Sequence, residues 1–257
     1  MHEIKIQIKN KFFRKKKVFL FPALFSDLNF DQWTAYHQYV MQQIGEAELL
    51  WAFLFGDEKF KLKIPGERIA DIEYLTYFIH SEPSPEWYMK SFVLDGIELI
   101  GPASEFKNMV CGEFVFADTF YTSFKETDDE TYLNKFLAVL MREIDQLAND
   151  TSLDWKGDHR IIFNENHIDR RAALISKLPI EKRLAAAFNY SIIRELLEKR
   201  YIWIFQKSSA ENNSKNTGWD KVMRSMCFGD ITKLQEIFFV PLYTFFDELN
   251  DAIRANT

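Results

Sequence analysis

An internal echo constrains the fold of this chain more than any other feature of its sequence. Pro22…Asp27-Leu28-Asn29-Phe30-Asp31-Gln32-Trp33…Tyr36…Tyr39 recurs as Pro102…Asn108-Met109-Val110-Cys111-Gly112-Glu113-Phe114…Ala117…Phe120. Leu28 stands against Met109, Gln32 against Glu113, Trp33 against Phe114 and Tyr39 against Phe120, each pair 81 positions apart. Each copy follows a strand-like stretch and opens a helix-like one. The first half of the chain is therefore expected to hold two related strand-then-helix units, with residues 18–44 and 97–124 as the matching spans.

The strand signals come first. Ile4, Ile6 and Ile8 alternate with Lys5 and Gln7, the two-residue period of a half-buried strand. Val18-Phe19-Leu20-Phe21 forms a second strand, stopped by Pro22. The basic residues 9–17 between them predict a long hairpin turn. Phe12 and Phe13 inside that run would suit stacking against nucleic-acid bases, but charged turns are a common guard against strand aggregation, and a solvated hairpin tip is the favoured reading. A second hairpin joins residues 88–94 to 97–100 through Asp95-Gly96, a pair suited to a type I′ turn, whose positive φ values match the twist of paired strands.

The rest reads as helix. Asn29 or Asp31 can cap a helix carrying Trp33, Tyr36, His37, Val40, Met41 and Ile44 and ending at Gly45. Further helices are expected over 46–55, 65–80, 112–124 and 132–148, the last capped by Asp128-Asp129-Glu130. A polar connection covers 149–166. Helices follow over 167–178, 179–205, 219–227 and 231–255, the last with a kink or break near Pro241. The fold class is thus α+β and mainly helical. Two short β-hairpin, strand-then-helix units occupy residues 1–148, and a helical region occupies 149–257, with a flexible loop at 206–218 and a long C-terminal helical segment.

Composition narrows the chemistry. A net charge of −6 argues against a general nucleic-acid binder, which needs a positive surface field. Two cysteines, Cys111 and Cys227, in apolar surroundings give neither a disulfide framework nor a Cys-rich metal site, and both are expected as reduced core thiols. No apolar run approaches the length of a membrane span, so a soluble, intracellular protein without a membrane partner is expected. Nine glycines leave few backbone nests for phosphate, and no phosphate loop or nucleophile elbow is present. Asp158, His159, Glu165, His167 and Asp169 collect imidazoles and carboxylates in one polar connection. Their spacing fits no metal motif, so a solvated loop is the favoured reading, with a metal-dependent hydrolase or nuclease as the alternative. Arg142, Arg160, Arg170, Arg171 and Arg183 read as scattered along helices.

No catalytic residue, cofactor or metal is therefore expected. The strongest interaction signal is the aromatic tail. Trp219, Phe238, Phe239, Tyr243, Phe245 and Phe246 cover more than one helical face, which requires burial on several sides or a partner chain.

Four pieces carry a resemblance that spans most of the chain. They are the hairpin leading into Met109-Val110-Cys111-Gly112-Glu113-Phe114, the helix over 133–142, Arg170-Arg171…Leu178-Pro179, and Trp219…Phe228-Gly229-Asp230 with the final helix. The layout resembles proteins encoded in the tail gene clusters of phages and prophages of Bacteroidetes-type bacteria. That resemblance implies a non-enzymatic, chaperone-like factor of tail assembly whose partner is another protein, such as a tail component. It also implies a location in the bacterial host cytoplasm or in association with the virion, with homo-oligomerisation left open. A structural virion component of the tail or connector is the alternative within the same class.

Overall fold

The computed structural model of the chain describes residues 1–9, 14–55, 73–148, 150–151, 157–205, 219–227 and 230–255. The architecture is α+β and mainly helical, with two small antiparallel sheets. The chain divides into two units, Met1–Tyr88 and Met89–Thr257.

In the first unit, β1 (His2–Lys9) and β2 (Arg14–Phe21) pair antiparallel from His2↔Phe21 to Lys9↔Arg14. Residues 14–17, expected in the turn, belong to β2, because backbone pairing of a ribbon does not require apolar side chains. Residues 10–13, with Phe12 and Phe13, lie outside the described residues. A 3-10 turn, Phe25–Asp27, leads into α1 (Phe30–Val40).

Of the two caps expected, Asn29 is the one that forms: Gln32 N donates to Asn29 Oδ1 at 3.0 Å and Asn29 N to Gln32 Oε1 at 3.0 Å, a reciprocal capping box. Gln32 Nε2 also donates to Phe53 O (2.9 Å) in α2 (Glu46–Phe55). α1 ends at Val40, short of Gly45, because Gln42 turns to φ 57° and breaks the helical path. Residues 56–72 lie outside the described residues, and the described part of the helix expected over 65–80 is the 3-10 helix Glu73–His80.

The core of this unit is aromatic. Trp33, fully buried, stacks on Tyr88 with centroids 4.1 Å apart and meets Phe25 and Tyr36, while Phe53 contacts Phe21 and Phe78. His37 is buried on the same helix, and burial holds its imidazole below the ordinary 6.5. The unfolded chain takes up that proton as pH falls through 6.5 and the folded unit resists it, so stability is full above 6.5 and declines below. The urea midpoint is expected to fall between pH 7.5 and 5.5 more steeply in the native chain than in His37→Gln.

The second unit repeats the order of hairpin, 3-10 turn and helix. β3 (Ser91–Leu94) and β4 (Ile97–Ile100) pair across Asp95 (φ 49°) and Gly96 (φ 77°), the predicted turn. The 3-10 turn Ser104–Phe106 and α3 (Cys111–Thr127) follow. Echoed positions share burial: Phe25 and Phe106, Leu28 and Met109, Trp33 and Phe114 are all core residues.

The start of α3 is secured differently from that of α1. Val110 makes no side-chain cap. Instead Cys111 N donates to Val240 O (2.8 Å) and Leu242 N to Met109 O (2.9 Å), flanking an antiparallel bridge between Val110 and Pro241. Gly112 admits the ring of Phe238, since a Cβ there would sit 2.5 Å from its atoms.

Asp129 caps α4 (Glu130–Leu140), accepting from Thr131 N at 2.8 Å. This helix stops at Leu140 and not at 148. Met141 is extended, and β5 (Arg142–Glu143) joins β4 antiparallel, giving the sheet order β3-β4-β5. The remaining helices are α5 (Ile168–Ile175), α6 (Ile180–Arg200), α7 (Ile202–Phe205), α8 (Trp219–Met226), α9 (Leu234–Phe238) and α10 (Leu242–Ala255). The expected break at Pro241 separates α9 from α10, and Tyr201 interrupts the single helix expected over 179–205.

The loop expected at 206–218, and residues 228–229, lie outside the described residues. The boundary expected after residue 148 falls inside this unit, where α3 packs on α9 and α10 and α4 packs on α5 and α6. Cys111 and Cys227 are free and buried. Among the described residues no helix is long and apolar enough to cross a membrane.

Candidate functional site

β-sheet alternation explains how distant charged residues of the second unit converge. Successive strand residues face opposite sides of a sheet, so Arg142 and Ile144 share one face while Glu143 takes the other. Residues 159–161 run antiparallel alongside: Asp145 N donates to His159 O (2.7 Å), Ile161 N donates to Glu143 O (2.9 Å), and Ile144 bridges Arg160. Directly opposed residues point the same way, which places Arg160 on the face of Arg142.

Glu113, in the first turn of α3, meets that face. It accepts from Arg142 Nη2 (3.0 Å), Arg160 Nη1 (2.6 Å) and Arg160 Nη2 (3.3 Å). Asp158 closes the cluster, accepting from Arg142 Nη2 (2.9 Å), Arg160 Nη2 (2.9 Å), Arg160 Nε (2.9 Å), the Arg160 amide (3.0 Å) and Asn108 Nδ2 (3.1 Å). Arg142 Nη1 donates to Ile161 O and Arg160 Nη1 to Leu140 O, while Arg142 Nε finds no acceptor. Two cations face two anions, and the side chains of Glu113, Arg142 and Arg160 are at most 2% exposed. Burial pulls the Arg142 guanidinium below its ordinary value. It opposes the charge on Arg160 too, but there Glu113 and Asp158 outweigh it and hold the group above its ordinary value.

Glu143 occupies the opposite face. It accepts from Arg171 Nε (2.6 Å) and pairs with Arg170, both on α5, while Arg171 Nη2 lies 3.3 Å from His167 Nδ1. Burial alone would raise its carboxyl. The hydrogen bonds from its own amide and Arg171, with the charges of Arg171 and Arg170, bring it below the ordinary 4.5.

The residues weighed as an alternative metal-dependent site have other partners or face solvent. Asp158 is occupied by the two arginines, His159 and Glu165 are exposed, His167 faces Arg171, and Asp169 pairs with Lys135 at 2.9 Å. Among the described residues no group of three His, Cys, Asp or Glu is placed to hold a metal.

The aromatic tail forms a second hub. Phe246 is fully buried and contacts Phe114, Tyr201, Phe205, Trp219 and Phe245, itself buried. Trp219 Nε1 donates to Asp118 (2.8 Å), a buried carboxylate that also accepts from Tyr190 Oη (3.0 Å) and Arg194 Nε (2.6 Å). Phe238 stacks on Phe163, and Tyr243 Oη donates to Glu105 O (2.7 Å). Of the six tail aromatics, Phe239 is the one left exposed, at 45%.

No family model, curated protein or solved structure matches the chain.

Proposed function

We propose that this chain is a non-enzymatic protein-interaction factor of phage tail assembly that shields or positions another protein. The observation that carries the reading is the set of large apolar side chains left at the surface of the first unit. Tyr77 is 73%, Leu24 61% and Met41 56% exposed, with Leu20 and Val40 also exposed. Aromatic residues and methionine are enriched where proteins meet. Phe239 adds an exposed ring to the second unit. The phage-tail assignment rests on the resemblance of the hairpin, the segment 133–142, and the Arg170-Arg171 and Trp219 segments.

The test is coexpression with the products of neighbouring tail genes, followed by copurification and light scattering. One of them is expected to form a defined complex that Tyr77→Ser with Met41→Ser weakens without lowering the melting temperature. A chain that stays monomeric in the presence of all of them defeats the proposal. Mass spectrometry of purified particles separates an assembly factor, absent from the particle, from a stoichiometric virion subunit.

A further inference from the structure

On the Glu143 side of the small sheet, a cavity of about 300 Å³ opens between the hairpin and α5, at the lower end of the range for small-ligand sites. Ile97, Ala173 and Leu174 form its apolar wall, and Arg170, Arg171 and Lys177 its cationic one, with Glu143 as the one carboxylate. The spacing of 170, 173, 174 and 177 puts these residues on one side of α5 and the turn after it.

Charge is not balanced there. Arg170 and Arg171 share Glu143, and Lys177 pairs with Asp95 outside the cavity wall. One positive charge is left over. Arg171 is 1% exposed and its unpartnered Nη1 is closed to solvent, so the donors that an incoming acid can reach are those of Arg170 and Lys177, 62% and 54% exposed.

We infer that this cavity binds an aliphatic carboxylate, the acid group meeting Arg170 and Lys177 and the short apolar body lying against Ile97, Ala173 and Leu174. A monoanion matches the single excess charge, and a charge-assisted bond to guanidinium is the strong kind. The carboxylate can belong to a free acid or to the C-terminus of a peptide ending in an apolar residue.

Calorimetric titration of the full chain with hexanoate, hexanol, inorganic phosphate, and N-acetyl-Ala-Leu as free acid and as amide tests this without any tail protein present. It therefore stands or falls independently of the assembly role. Hexanoate is expected to bind saturably and at least about tenfold more tightly than hexanol. The Arg170→Ala, Lys177→Ala double variant, altered only at exposed side chains, is expected to lose about tenfold in hexanoate affinity at an unchanged melting temperature. Binding of the peptide acid but not its amide identifies a peptide terminus as a source, and binding of hexanoate alone identifies a free acid. Equal binding of hexanol, tighter binding of phosphate, an unaffected double variant or the absence of saturable binding by either acid overturns the assignment.

Discussion

Glu113→Gln is expected to destabilise the second unit by about 3–5 kcal/mol, measured as a shift of the denaturant unfolding curve. Gln keeps the shape of the side chain, so the loss reports charge and not volume. Arg142 and Arg160 would remain buried, with Asp158 as their one anionic partner, and the Arg142 Nε already lacks an acceptor. Removing one member of a buried ionic cluster costs more than the cluster contributes, because the surviving charge cannot regain its water. The quadruple variant Glu113→Leu, Arg142→Met, Asp158→Asn, Arg160→Met, which removes all four charges together, is accordingly expected to recover most of the loss. If Glu113→Gln shifts the curve by less than about 1 kcal/mol, Asp158 alone neutralises both guanidinium groups, and the account of the cluster fails.

Phe246→Ala is expected to cost about 3–5 kcal/mol, the range for deleting a fully buried aromatic ring. Its ring touches five others drawn from α3, Tyr201, α7, α8 and α10 itself. Loss of the ring therefore opens a cavity that no single neighbour can fill. Phe239→Ala, at a side chain 45% exposed, is expected to stay within about 0.5 kcal/mol of the native chain and to act on partner association. The pair of variants separates packing from recognition within one aromatic segment. A Phe246→Ala chain of native stability that fails to bind its partner would reverse that division.

The features legible in the sequence are those set by neighbours in the chain. Asp95-Gly96, the Asn29–Gln32 cap, the Asp129 cap and the break at Pro241 each depend on a few consecutive residues, and each is found. The end of α4 was not legible, because Phe136, Val139, Leu140, Glu143 and Leu147 continue a helical spacing past the point where strand pairing captures Arg142 and Glu143. Leu147 is then 90% exposed.

The arginine cluster was hidden for a related reason. Arg142 and Arg160 lie 29 and 47 residues from Glu113, and only the sheet register brings them to one face. A local signal did exist in Arg160-Ile161-Ile162-Phe163, a β-branched stretch that reads as extended backbone. The tail aromatics could be read either as core or as interface, since an all-round apolar helix satisfies both. Gly112 opposite Phe238 decides for packing at that ring.

The two echoed helices also differ in when they can be completed. α1 closes its first turn with Asn29 and Gln32, three residues apart, so the cap partners of its start emerge from the ribosome together. α3 takes the acceptor for its first amide from Val240, and Met109, just before the helix, accepts from Leu242 N. At the usual ~5–20 residues per second of synthesis, the wait between those partners is on the order of 10 s. During that interval Gly112 and Phe114 have no Phe238 or Phe246 to cover them. The start of the second copy's helix thus depends on late translation, whereas that of the first does not, and the same strand-then-helix design runs on two schedules within one chain.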